Sequence, residues 1–129
     1  GTRLFTVTTL DRVHALARRA YTSHPVEYPT AGTKPMTRDS WCEYCIEGQN
    51  TFVANTPAGF EKVFFDHELI TSMGLGSVIN IPVADNDGVV QATVNLLAEA
   101  GHYTPDRIAA YQAIVYSHHA EILAAIAAI

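Results

Sequence analysis

The run Gly74-Leu75-Gly76-Ser77-Val78-Ile79-Asn80-Ile81-Pro82-Val83 is followed by Asp85-Asn86-Asp87-Gly88 and then by Val89-Val90-Gln91-Ala92-Thr93-Val94-Asn95-Leu96-Leu97. Two stretches rich in β-branched residues around an Asp-Gly predict a hairpin with a tight turn. With Asp87-Gly88 as a two-residue loop, Asn86 pairs with Val89, and further out Ile79 faces Leu96, Ile81 faces Val94 and Val83 faces Ala92. That face is wholly apolar. Strand side chains alternate, so the opposite face carries Asn80 against Asn95, Pro82 against Thr93 and Ala84 against Gln91. A slip of two residues changes partners but keeps the faces, which makes the faces the firmer expectation. The pattern describes an antiparallel sheet with one sealed side and one half-polar side able to meet a small molecule.

A chain of 129 residues fits one domain, 1–129. That length buries roughly 65 to 70 % of its unfolded surface without disulfides or a metal. A net charge of −5, with no cluster of basic residues beyond Arg18-Arg19, lacks the basic stripe that nucleic acid requires. No apolar run reaches the roughly 20 residues of a spanning helix, and no leader pattern opens the sequence. The expectation is a cytoplasmic protein with no nucleic-acid or membrane partner. Gly1 in place of Met leaves room for a domain ahead of it.

Along the chain, Thr8-Thr9-Leu10-Asp11 reads as a helix cap, and Leu10, Val13, Ala17 and Tyr21 recur at helical spacing. A first helix over about 9 to 21 follows, with Arg12, Arg18 and Arg19 on its solvated side. His24 to Met36 holds three prolines and a glycine, so it is an edge hairpin or an extended loop. Tyr28 and Lys34 within it either face a ligand or are a packing Tyr and a surface Lys. A short helix is expected at about 39 to 47 with Gly48 at its end, and a short strand at Thr51-Phe52-Val53-Ala54. Helical pieces follow at Pro57–Phe64 and Asp66–Met73. After the hairpin, Thr104-Pro105-Asp106 starts a long helix. Its stripe is Ile108, Tyr111, Val115, His118, Ile122, Ala125 and Ile129, with a second apolar flank at Ile114, Leu123 and Ile126. An uncovered flank is an association site, so a homodimer through the N- and C-terminal helices is expected. This element order is α+β or α/β, a sheet with helices on both faces.

The run Phe65-Asp66-His67-Glu68-Leu69-Ile70-Thr71-Ser72-Met73-Gly74 into the first hairpin strand resembles GAF-type small-molecule sensor domains. So do Gly88, Val94-Asn95-Leu96-Leu97 and the terminal Tyr103-Thr104-Pro105. The likeness spans about residue 3 to the end and is strongest over 65 to 97. It implies a GAF-like (profilin-like) three-layer α+β fold, with terminal helices on one face of a central antiparallel sheet and short helices on the other. It also implies a ligand cavity between the sheet and the short helices, without fixing the ligand. Ala92 stands where many relatives carry Gly. The chain lacks a bilin-anchoring Cys-His pair and the asparagine-lysine-phenylalanine-aspartate set of cyclic-nucleotide binders.

Asn80 and Asn95 are the sharpest site candidates, since each offers a donor and an acceptor at fixed spacing. The competing reading is a cross-strand amide pair that satisfies itself. Trp41, Phe52 and Tyr103 are expected to wall the cavity, with Thr93, Tyr28 and Lys34 completing recognition, and Lys34 favouring an anion. Trp41-Cys42-Glu43-Tyr44-Cys45 contains C-x-x-C, but no further ligands stand at zinc spacing, so buried structural thiols outweigh redox or metal roles. Asp66-His67-Glu68 holds acids beside an imidazole, yet consecutive helical residues point about 100° apart and do not converge. Asp66 as a cap, with His67 exposed or in the roof, is the expectation, and His118-His119 suits a dimer interface better than a metal. No metal or cofactor is expected. The function expected is a standalone domain binding a small polar, anionic or aromatic metabolite. The alternatives are a small enzyme using Cys42 or Cys45 as thiol or His67 as base, and a pure dimerisation module.

Overall fold

The computed structural model describes residues 3–30, 33–37, 39–64 and 66–128. Gly1, Ala31, Gly32, Arg38, Phe65 and Ile129, to which parts of the sequence expectations attach, lie outside them. Among the described residues six strands form one antiparallel sheet: β1 Leu4–Asp11, β2 Leu16–Thr22, β3 Thr33–Pro35, β4 Phe52–Ala54, β5 Ser77–Ala84 and β6 Val90–Ala98. Their order across the sheet is β3-β2-β1-β6-β5-β4.

The β5–β6 pairing carries the expected partners, with Ile79 opposite Leu96, Asn80 opposite Asn95, Ile81 opposite Val94 and Val83 opposite Ala92. The turn differs. Asp85 N–H donates to Val89 O at 2.9 Å and Gly88 N–H to Asp85 O at 3.0 Å. The loop is therefore the three residues Asn86-Asp87-Gly88, with Gly88 at φ +78°, a left-handed position that favours glycine. Asn86 does not pair with Val89. The register survives because Ala84 then pairs with Val90 and the pairing shifts before Val83, leaving Gln91 as the additional residue.

The helix expected over 9–21 is not formed. Residues 4–22 are the β1–β2 hairpin, with Leu10 opposite Ala17 and Asp11 opposite Leu16. The turn is closed locally, because Asp11 Oδ1 accepts from His14 N–H at 3.1 Å and Asp11 Oδ2 lies 2.7 Å from His14 Nδ1. Val13, a member of the supposed helical stripe, is 89 % exposed at the tip. The β-branched run Thr6-Val7-Thr8-Thr9 pairs with β6 instead, and tertiary pairing overrides a weak local helix signal. No N-terminal helix exists among the described residues to join a dimer bundle.

The sheet's two faces bury different cores. On one, Ile79, Ile81, Val83, Val94 and Leu96 meet Tyr103 and Val115. Ile108, Tyr111, Ile122 and Leu123 of the C-terminal helices pack over them. These helices are α3 Pro105–Ser117 and α4 His119–Ala127, started by Thr104, whose Oγ1 accepts from Arg107 N–H. The expected single long helix breaks at His118, where φ is −106° and ψ 16°. His119 Nε2 bonds Ala84 O of the same chain, which ties the start of α4 to the end of β5.

The short helices cover the other face. They are a π-helical turn Cys42–Glu47, α1 Pro57–Phe60 and α2 His67–Ser72. Thr56 caps α1 by accepting from Gly59 N–H. Phe60, Ile70, Leu75 and Tyr28 pack there against Leu4, Val78 and Leu97 of the sheet. Gly48 ends the π-helical turn with its N–H donating to Glu43 O, and a Cβ there would meet Tyr44 O at 2.7 Å. Wide turns of this kind occur frequently at functional sites.

Candidate ligand-binding site

The register dictates what the short-helix face presents. Directly opposed residues share a face, so the pairings of β1, β2, β5 and β6 set side chains in transverse rows. Leu4, Leu97 and Val78 make an apolar row, and Thr6, Asn95 and Asn80 make the next. Arg19, Thr8, Thr93 and Pro82 make the third. Above these rows the short helices stand off the sheet, leaving a cavity of about 750 Å³ lined by Leu4, Val78 and Leu97 of the first row, Thr6, Asn80 and Asn95 of the second, and Thr8, Arg19 and Thr93 of the third.

Asn80 and Asn95 are 4 % and 9 % exposed and are joined by one directional hydrogen-bond chain. Trp41 Nε1–H donates to Asn80 Oδ1 at 3.0 Å, and Asn80 Nδ2 donates to Asn95 Oδ1 at 2.8 Å. Asn95 Nδ2 then donates to Thr6 Oγ1 and Thr8 Oγ1, each at 3.1 Å. An indole N–H only donates, so Trp41 forces the Asn80 oxygen toward itself and thereby orients every amide downstream. The cross-strand amide pair and the cavity floor are thus the same residues. Pairing with each other leaves Asn80 one further amide proton.

Trp41 also meets Phe64 edge-on, with centroids 6.5 Å apart and planes at 66°. Lys34 Nζ lies 5.8 Å from the Trp41 ring centroid, at the exposed edge of the cavity. At the opposite end Tyr28, 7 % exposed, donates its hydroxyl to Asp66 Oδ2 at 2.7 Å, and the Arg19 guanidinium sits 4.8 Å over its ring. Burial first, and then that bond to the carboxylate, raise the Tyr28 phenol well above the ordinary tyrosine range. Asp66 holds the cap position of α2 but makes no side-chain capping bond, so its carboxylate belongs to the cavity wall.

Of the residues singled out in the sequence, Tyr28, Lys34, Trp41, Cys42, Asn80, Thr93 and Asn95 line the cavity. Phe52 does not. It is partly buried behind Phe64, edge-on at 6.0 Å, and borders a smaller cleft of about 330 Å³ with Tyr44 and Thr51. Tyr103 is on the wrong side of the sheet: it is 1 % exposed within the α3 core, fixed by Asn55, which accepts from Tyr103 N–H and donates to Tyr103 O. His67 is half-buried on α2 and is not among the lining residues. Cys45 is fully buried, and burial pushes its thiol up to about 12. Thr6, Thr8 and Arg19 line the cavity unforeseen. No group of three or more metal-ligating side chains occurs among the described residues.

An antiparallel sheet with packed C-terminal helices behind and short helices over a cavity in front defines a three-layer α+β architecture. Known structures name it. The GAF domain/HD domain protein from Geobacter sulfurreducens matches with a TM-score of 0.73 at 13 % identity, over 99 % of this chain and 84 % of that one. The GAF domain of a two-component sensor histidine kinase from Bacillus halodurans gives 0.71 at 11 % identity, over 97 % and 84 %. The second GAF domain of DevS from Mycobacterium smegmatis gives 0.67 at 12 %, over 97 % and 83 %. The fold is that of a GAF-type domain. No family model matches the sequence, and no curated protein sequence does either. No helix among the described residues is long and apolar enough to cross a membrane.

Proposed function

We propose that this chain is a sensory domain that takes a small metabolite into the cavity between the sheet and the short helices. The observation that carries the reading is the coincidence of a cavity of about 750 Å³ with a buried, oriented amide chain on its floor. Polar groups held at fixed positions beside apolar walls, here the amide chain beside Trp41, Phe64 and Val78, are what orient a ligand in a small-molecule site. Similar folds in a sensor histidine kinase support the sensory part. The reading includes a cytoplasmic, dimeric protein. The dimer would seat on α3, where Ile114 is 57 % and Tyr116 51 % exposed. A metabolite panel in thermal shift tests the reading, because whatever binds only the folded state raises Tm. A panel spanning acids, amides, amines and heterocycles that leaves Tm unmoved at millimolar concentration overturns it.

The thiol-enzyme alternative is less well supported, since a nucleophile acts as thiolate and Cys45 is held protonated far above neutrality. In the folded chain at pH 8, iodoacetamide is expected to alkylate Cys42, which lines the cavity, and to spare Cys45. Peptide mass mapping reads this directly. The sign of the linked stability follows: the unfolded chain releases the Cys45 proton near the ordinary value of 9.0 while the folded chain holds it to about 12, so stability falls as pH rises through that window.

A further inference from the structure

The hydrogen-bond chain on the cavity floor has a beginning and an open end. It starts at Trp41 Nε1–H and finishes on the hydroxyls of Thr6 and Thr8, whose own protons have no acceptor among the described residues. Thr93, opposite Thr8 and 2 % exposed, has a hydroxyl with no hydrogen-bond partner among the described residues although it faces the cavity. Donors aligned head to tail polarise one another, so the open hydroxyl end is the electropositive one. Arg19 stands on the same row as Thr8 and Thr93 and lines the cavity, its Nη1 donating to Pro29 O at 3.0 Å and its guanidinium lying over the Tyr28 ring. Each of the two carboxylates of the lining already holds one donor of the protein: Asp66 Oδ2 accepts from Tyr28, and Asp39 Oδ1 accepts from Cys42 N–H.

The floor is therefore rich in donors and asks for a group that only accepts. Formal charges around the cavity balance, Arg19 and Lys34 against Asp39 and Asp66. A dianion finds no surplus of positive charge there, whereas a single negative charge can be held by neutral hydroxyls and one guanidinium. We propose that the ligand is a monocarboxylate with an apolar body, its carboxylate on the Thr8–Thr93 row beside Arg19 and its body against Trp41 and Phe64. This rests on the cavity being a ligand site.

Titration calorimetry with phenylacetate and hexanoate, each against its primary amide, tests the proposal. At least one acid is expected to bind, with its amide at least tenfold weaker. Thr93→Val and Thr8→Val each weaken the acid about tenfold and the amide by less, since a charged acceptor loses more than a neutral one when a hydroxyl donor is removed. Because the Thr93 hydroxyl has no protein partner to lose, Thr93→Val keeps the Tm of the unliganded chain within about 2 °C, which separates lost recognition from lost folding. Equal binding of acid and amide, full affinity in Thr93→Val, or no binding of either acid overturns the carboxylate assignment. If amines or neutral heterocycles raise Tm while no acid does, the assignment falls and the cavity reading stands. If no compound of any charge binds, both fall.

Discussion

Phe60→Ala lowers the Tm of the chain by about 10 °C, the larger of two stability losses expected here. Phe60 has no solvent exposure and packs among Leu4, Ile70, Leu75 and Val78, where α1 meets the sheet. Truncating a buried Phe costs about 3–5 kcal/mol, a lost transfer term plus the cavity left behind. In a domain of this length each kcal/mol shifts Tm by roughly 3 °C. The loss also reaches the site, because Phe60 lies against Phe64 at 6.1 Å and Phe64 braces Trp41. Phe60→Leu, which refills most of the volume, is expected to recover over half of the loss. A differential scanning measurement in which Phe60→Ala costs less than about 3 °C shows that the short helices are not packed on the sheet as described.

How much of this was readable beforehand follows from where the physics is local. The β5–β6 hairpin was legible because alternation has a period of two and a sealed face punishes a slip, so Ile79, Ile81 and Leu96 could go only one way. The turn type was not, since Asp-Gly serves a two-residue loop and the last two positions of a three-residue loop equally well. The β1–β2 hairpin is masked in the sequence because Leu10, Val13, Ala17 and Tyr21 fall at helical spacing by accident. What decides the outcome is β6 on one side and β2 on the other, pairing partners distant in sequence.

Half of the cavity floor depends on that hairpin. Thr6 and Thr8 belong to β1 and Arg19 to β2, and a helix over 9–21 leaves no way to set them beside Asn95 and Thr93. The available signal was Thr6-Val7-Thr8-Thr9, β-branched throughout and better suited to a strand than to a helix start. Tyr103 failed for another reason. Its side of the sheet depends on the turn after β6, where Asn55 clamps the Tyr103 backbone from 48 positions away. Phe52 sits opposite Asn80 as a strand residue should, but Phe64 from the following segment fills the space between it and the cavity.

Asn80→Leu is expected to lower Tm by about 6 °C and to weaken any cavity ligand at least tenfold. Leucine fits the volume but neither accepts nor donates, so it leaves the Trp41 indole N–H and the Asn95 Oδ1 without their partners. Each stranded polar group costs about 1–3 kcal/mol, partly offset by the added apolar burial, for a net loss of about 2 kcal/mol. The binding loss has a separate origin. Asn95 loses the partner that sets its orientation, and with it the alignment that points the Thr6 and Thr8 hydroxyls into the cavity. Trp41 is the single tryptophan of the chain, so its emission reports the released indole without interference. A double-mutant cycle completes the case: Trp41→Phe removes the same donor, and Asn80→Leu on that background costs less than on the native one by about 1 kcal/mol. Additive effects of the two substitutions overturn the directional chain. Identical ligand-induced Tm shifts in Asn80→Leu and the native protein overturn the placement of the binding site on this floor.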